Sequence, residues 1–257
     1  SEMEIKPVIS VSKVSKRFDT KTVLNDVSFS LNEKNSFVAL LGRSGCGKTT
    51  LLRLLAGLLT PDDGIIYLNG EVVSQNGRLL VPPHKRKIGF IFQDLALFPH
   101  FTVFENIAFG LKANKMAEYK NMTSVMMERL NIVSLAKNYP NELSGGQQQL
   151  VALARTMVLD PGIILMDEPL TNLDVKVKRS IISILLELRE ERARTFIIVT
   201  HDHADAFNLA DKIILLDNGK IVDDGTPREI WNSNVEFTRD FIELDQTNIS
   251  VSSAPTD

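Results

Sequence analysis

Gly42-Arg43-Ser44-Gly45-Cys46-Gly47-Lys48-Thr49 has the spacing G-x-x-x-x-G-K-[ST], the pattern of a loop that wraps phosphate. Its glycines let backbone N–H groups approach phosphate oxygens. Lys48 brings an ammonium to the β and γ phosphates, and the Thr49 hydroxyl can ligate Mg²⁺. The Leu143-Ser144-Gly145-Gly146-Gln147 stretch is a second glycine-rich candidate anion site. It opens a helix-forming run over 147–158, so bare amides sit at a helix N-terminus, where the dipole favours negative charge. Asp167-Glu168 follow an unbroken apolar run at 163–166. By itself an acidic pair after a strand is an ordinary loop start. Beside a phosphate loop, Asp167 is suited to hold a metal, and Glu168 to take a proton from an attacking water or orient it.

These residues need elements that hold them. Residues 37–41 form a continuous apolar run entering Gly42, and 48–58 show helical periodicity, so the loop sits between a strand buried on both faces and a helix. Residues 163–166 and 196–199 are two more apolar strands, separated by a helical stretch over 175–194. This alternation predicts an α/β fold with a mostly parallel sheet, whose ligand lies beyond the carboxyl ends of its strands. Gly42, Asp167 and His201 all follow such ends. Residues 8–14 and 27–31 read as short antiparallel strands joined by a polar connection over 16–25. Between 98 and 159 the patterns are helical, over 122–135 and 146–159, which predicts an α-helical subdomain inserted at about 95–160. Residues 212–216 and 220–222 flank Asn218-Gly219 and predict a hairpin. From 245 to 257 the chain is a polar tail, leaving 1–244 as the main domain.

Composition narrows the function. The 257 residues are 44% hydrophobic and 24% charged, with a formal net charge of -3, so the broad basic face that nucleic acid requires is missing. The single Cys46 cannot form an internal disulfide, which fits a reducing compartment. Residues 1–7 carry charges without the apolar core of a secretory signal, and no run approaches the roughly 18 apolar residues of a membrane helix. A membrane role would be peripheral.

Taken in order, the motifs resemble those of the ATPase subunit of an ATP-binding cassette (ABC) transporter, over nearly the whole length to about Leu244. Phe18 falls where that family has an aromatic stacking on adenine, although such a residue could equally be a core aromatic. The phosphate loop runs from Gly42 through Thr50, Gln93 matches the family's loop glutamine, and Leu143 to Gln147 is its signature. Asp167 matches the metal aspartate, Glu168 the catalytic glutamate, Asp174 the close of the interface loop and His201 the switch histidine. The resemblance implies a P-loop NTPase core with an N-terminal antiparallel β subdomain and the helical insertion. It also implies ATP and Mg²⁺ as cofactors. Lys48, Gln93, Glu168 and His201 would serve catalysis, and Thr49, Gln93 and Asp167 the metal.

Such proteins pack head to tail, so Ser144, Gly145, Gly146, Gln147 and Asp174 are expected to contact ATP held by a partner chain, in a homodimer or a pair with a homologous ATPase. Two departures stand out. Leu150 replaces the arginine usual after the signature glutamines, removing a charge near the subunit boundary, and Thr171 replaces a commoner serine while keeping the hydroxyl. The aromatic-rich segment 90–112 is similar to bacterial uptake systems for iron, polyamines, sulfate or sugars. The expected assembly is an importer at the cytoplasmic face of the membrane, with transmembrane permease subunits and an extracytoplasmic substrate-binding protein. An exporter ATPase is the nearest alternative. A soluble clamp on DNA or the ribosome would need long heptad repeats or a second cassette, and neither is in the chain.

Overall fold

In a computed structural model, residues 6–32, 34 and 36–246 are described. They divide into two compact units: one joins the described residues up to Arg86 with those from Thr195 onward, and the other is Lys87–Arg194.

The first unit opens with β1 (Ile9–Phe18) and β2 (Lys21–Leu31), paired antiparallel with Phe18 opposite Lys21. Both strands are longer than expected. The polar residues at 16–25 belong to the strands, which reach a short turn at Asp19, where φ is 50°. A strand with one solvated face carries polar side chains at alternate positions, and that pattern resembles a loop. Next come β3 (Ser36–Gly42), buried along nearly all its length, and α1 (Lys48–Ala56). Helix α1 stops short of 58 because Gly57 turns left-handed and returns its N–H to the Arg53 and Leu54 carbonyls. Strands β4 (Asp63–Leu68), β5 (Glu71–Gln75) and β6 (Arg78–Leu79) complete an antiparallel sheet of order β2-β1-β4-β5-β6. Arg86 is buried behind it. Its guanidinium donates to the carbonyls of Leu54, Leu55, Val73 and Val81 and to Ser74 Oγ, and burial pushes its pKa down to about 10.

In the second unit β7 (Ile88–Ile91) pairs in parallel with β8 (Ile163–Asp167). Between them lie α2 (Val103–Ala113), α3 (Tyr119–Arg129) and α4 (Gly145–Met157). Helix α2 starts in a capping box formed by Thr102 and Glu105. A single helix over 122–135 is not what forms: α3 ends at Arg129, Asn131 turns left-handed with φ 55°, and a 3₁₀ turn follows at Val133–Leu135. Helix α5 (Val175–Glu191) follows β8 and is shorter than the expected 175–194 because Arg192 is extended. Arg194, nearly buried, donates to the Leu188 carbonyl and pairs with Asp160 at 2.8 Å.

The chain then returns to the first unit. Strands β9 (Thr195–Val199) and β10 (Lys212–Asp217) flank β3 in parallel, with the Phe37 and Phe196 rings stacked at 5.0 Å. Strand β11 (Lys220–Gly225) runs antiparallel to β10 through a turn at Asn218 and Gly219, both at positive φ, the hairpin expected at this pair. Helices α6 (His203–Leu209), α7 (Pro227–Trp231) and α8 (Glu236–Gln246) close the unit. The polar tail lies, from residue 247 on, outside the described residues. No helix among the described residues is long and apolar enough to cross a membrane.

Candidate functional site

The phosphate loop joins β3 to α1, and its shape requires glycine at two points. A Cβ on Gly42 would sit 2.3 Å from the Leu216 carbonyl and 2.6 Å from Cys46 Sγ. Gly47 has φ 105°, and a Cβ there would meet Leu24 Cδ2 at 2.6 Å. The loop is therefore wedged against the β10–β11 turn and β2, a seating completed by the Gly219 N–H bond to the Cys46 carbonyl. Arg43, Ser44 and Gly45 are exposed, and a Cβ on Gly45 would meet nothing within 4 Å. The loop is open on this side. Gly47 gives α1 no side-chain cap, so the first-turn amides, at the positive end of the dipole, are not used by a capping side chain. Lys48 is only 6% exposed, and its ammonium donates to the Gly42 and Arg43 carbonyls, gathering the loop around one cation. Burial pushes the Cys46 thiol pKa up, against the pull of the Lys48 charge. Thr49 and Thr50 are half-buried in the first turn of α1.

The second unit brings several expected residues to one cavity of about 140 Å³. Gln93, Gly145, Glu168 and Thr171 line it, together with Leu95 and Gln149. Asp167 ends β8 and is 5% exposed, whereas Glu168, half-buried, turns out of the strand with φ 50°. A left-handed glutamate is strained. The Thr171 hydroxyl donates to Glu168 Oε2 at 3.0 Å, so the hydroxyl kept by the threonine has a defined partner. At the signature, Ser144 Oγ accepts from the Gln147 N–H and Gln147 Oε1 accepts from the Ser144 N–H, a complete capping box for α4. Asp174 likewise caps α5, its Oδ1 accepting from the N–H groups of Lys176 and Val177. Both capping arrangements went unread in the sequence, although Ser-x-x-Gln and an aspartate before a helix are recognisable signals.

Elsewhere in the first unit, Phe18 is 43% exposed at the end of β1, with Lys16 Nζ 5.4 Å from its ring, so it is not a core aromatic. His201 is exposed between β9 and α6. Sequence reasoning missed one neighbour of the loop. The Arg43 guanidinium lies 5.1 Å from the Phe237 ring on α8, Phe237 stacks on Phe241, and Phe241 meets His203 edge-on. Asp223 anchors the same helix, accepting hydrogen bonds from Ser233 and Thr238. Nothing local in the sequence signals a contact between a loop arginine and a distant aromatic.

The family described as ABC transporter matches residues 24–171. The chain is 43% identical over 243 residues to the spermidine/putrescine import ATP-binding protein PotA of Acetivibrio thermocellus, covering 93% of this chain and 67% of that protein. It is also 43% identical over 241 residues to the sulfate/thiosulfate import ATP-binding protein CysA of Pseudomonas syringae pv. tomato, covering 91% of this chain and 72% of the relative. Among eight such curated relatives it spans between 51% and 72% of their length, and less than two thirds of six of them. A solved structure of the ATP-binding cassette MJ0796, a dimeric post-hydrolysis state bound to ADP and Pi, superposes with a TM-score of 0.76 at 31% identity, covering 86% of this chain and 99% of the other. With the phosphate loop, the signature helix and the acidic pair all in place, the chain belongs to the ABC transporter family.

Proposed function

We propose that the chain binds and hydrolyses ATP and that this powers import through membrane subunits with which it assembles. The observation that carries the ATP reading is the phosphate loop, where an open glycine cradle, an α1 N-terminus with no side-chain cap and the anchored Lys48 ammonium all favour a polyphosphate. The imported compound would be selected by the partners: transmembrane permease subunits and an extracytoplasmic binding protein. The PotA and CysA relatives are importer subunits by name, which favours import over export. The chain would then sit peripherally on the cytoplasmic face of the membrane.

In this reading Lys48 and the loop amides hold the β and γ phosphates, Arg43, Ser44, Gly45 and Cys46 line the cradle, and Thr50 continues it into α1. The exposed face of Phe18 stacks on the base. Mg²⁺, when bound, neutralises charge developing on the phosphates. The Thr49 hydroxyl on the first unit, and the Asp167 carboxylate and Gln93 amide on the second, are hard oxygen donors of the type it takes. Glu168 receives the proton of the attacking water. Its carboxylate is oriented by the Thr171 hydroxyl, and His201 donates a hydrogen bond to the γ-phosphate. Ser144, Gly145, Gly146, Gln147 and Asp174 would face ATP held by a second copy or a homologous ATPase, so ATP favours the closed pair and hydrolysis releases it.

Glu168→Gln tests the chemistry. ATP binding should persist in a titration while turnover falls by about 100-fold or more, the scale of a lost general base. Turnover at the wild-type rate would remove the base role.

A further inference from the structure

The segment that follows Gln93 is held in a conformation its residues do not favour. Leu95 has φ 60° and Ala96 φ 45°, two consecutive left-handed residues, neither of them glycine, asparagine or aspartate. The turn starts with the Leu95 N–H donating to the Phe92 carbonyl at 2.9 Å. Its far end is tied to α2, where Asn106 Oδ1 accepts from the Phe98 N–H at 2.9 Å and Asn106 Nδ2 donates to the Phe98 carbonyl at 3.1 Å. Between these ties one side chain spans both strained residues. Arg155 of α4 donates from one guanidinium nitrogen to the Ala96 carbonyl at 2.8 Å and from the other to the Leu95 carbonyl at 2.7 Å, while its charge lies 5.5 Å from the Phe98 ring.

We propose that Arg155 is a positioning residue for Gln93: its forked guanidinium holds the Leu95–Ala96 turn left-handed, which sets Gln93 in the cavity it shares with Glu168 and ties that placement to the signature helix. The planar fork suits two adjacent carbonyls, a geometry that a lysine ammonium does not reproduce. The guanidinium is partly desolvated, and that burial lowers its pKa, so it is well placed to make strong bonds to carbonyl oxygens. Helix α4 carries Gly145 at one end, on the same cavity, and Arg155 near the other. A shift of this helix therefore moves the Gln93 turn. The inference rests on the proposed role of Gln93 near the γ-phosphate.

The strain supplies the test. Removing Arg155 should release the turn, whereas a glycine at 96 makes the same backbone conformation easy without the clasp. Arg155→Ala should raise hydrogen exchange at amides 94–98 by about tenfold and lower kcat for ATP hydrolysis by a similar factor, with KM for ATP within about twofold. Adding Ala96→Gly to Arg155→Ala should recover at least about a third of the lost kcat, and Arg155→Lys should fall between wild type and Arg155→Ala. If Arg155→Ala fails to fold, Arg155→Lys with and without Ala96→Gly carries the same comparison. Unchanged exchange at 94–98, or no rescue by glycine, would overturn the clasp. A wild-type chain without ATP turnover would instead overturn the proposed function, and the exchange comparison would still decide the clasp.

Discussion

Helix α1 begins behind a glycine that offers its amides no side chain, whereas α4 begins behind a serine that closes a capping box with Gln147. Both stretches are glycine-rich and both face an N-terminal dipole, yet only the first leaves its opening turn without a side-chain cap. At α4 the capping box takes the amides of Ser144 and Gln147 and does not use those of Gly145 and Gly146. The difference fits the proposal that the first site holds an anion within its own chain. The other is already stable without a ligand and presents only its two glycine amides. A loop that waits for its ligand and a helix that is finished before the ligand arrives suit a primary site and a site lent to a partner.

The largest effect that separates the two regions is expected at Gly47. Gly47→Ala places a Cβ against Leu24 and the Val23 carbonyl at a φ that alanine rarely adopts. It should cost about 3 kcal/mol, strain and overpacking together, and abolish nucleotide binding. Gly45→Ala meets no atom and carries only the strain of its φ of 78°, about 1 kcal/mol. Chemical denaturation and a nucleotide titration of both variants measure this. Equal losses would mean that the whole loop, and not its wedged end, sets the fold.

The signature should respond in a different order. A Cβ on Gly146 would lie 2.4 Å from Val177 Cγ1 of α5, so Gly146→Ala should destabilise the isolated chain by about 1–2 kcal/mol despite the better helix propensity of alanine. Gly145 has only Leu173 nearby, at 3.6 Å. Gly145→Asp should therefore fold as well as wild type, with an acid welcome in the first turn of α4, yet its charge would repel a partner's phosphates. Light scattering in the Glu168→Gln background should show no ATP-driven dimer. A dimer that persists in Gly145→Asp would break the contrast between a site used within its own chain and one lent to a partner.

How much of this was legible beforehand follows from the range of each interaction. The apolar run at 37–41, the glycines behind it and the Asn218-Gly219 turn are local signals, and β3, α1 and the hairpin formed where they pointed. The full lengths of β1 and β2 were hidden because their solvated faces carry polar residues that look like a loop. Helix α3 ends at Arg129, just before Asn131, whose left-handed turn no periodicity announces. Arg86, Arg155 and the Arg43–Phe237 contact were illegible for one reason. Each arginine finds carbonyls or a ring brought near only by the fold, and nothing beside it in the sequence names its partner.

The smallest effect sharpens the comparison most. Ser144 could serve the helix, a partner's phosphate, or both, and these uses separate by substitution. Ser144→Ala should cost about 1 kcal/mol in chemical denaturation without nucleotide, the usual loss of an N-cap, because the Gln147 N–H loses its acceptor. Ser144→Asp keeps an acceptor at the cap and adds a charge that favours the α4 dipole, so stability should recover. The same charge should oppose an incoming phosphate, so ATP-driven pairing should be weaker in Ser144→Asp than in Ser144→Ala. If pairing instead tracks stability across the two variants, the serine acts only as a cap, and the lent site is reduced to the amides of Gly145 and Gly146.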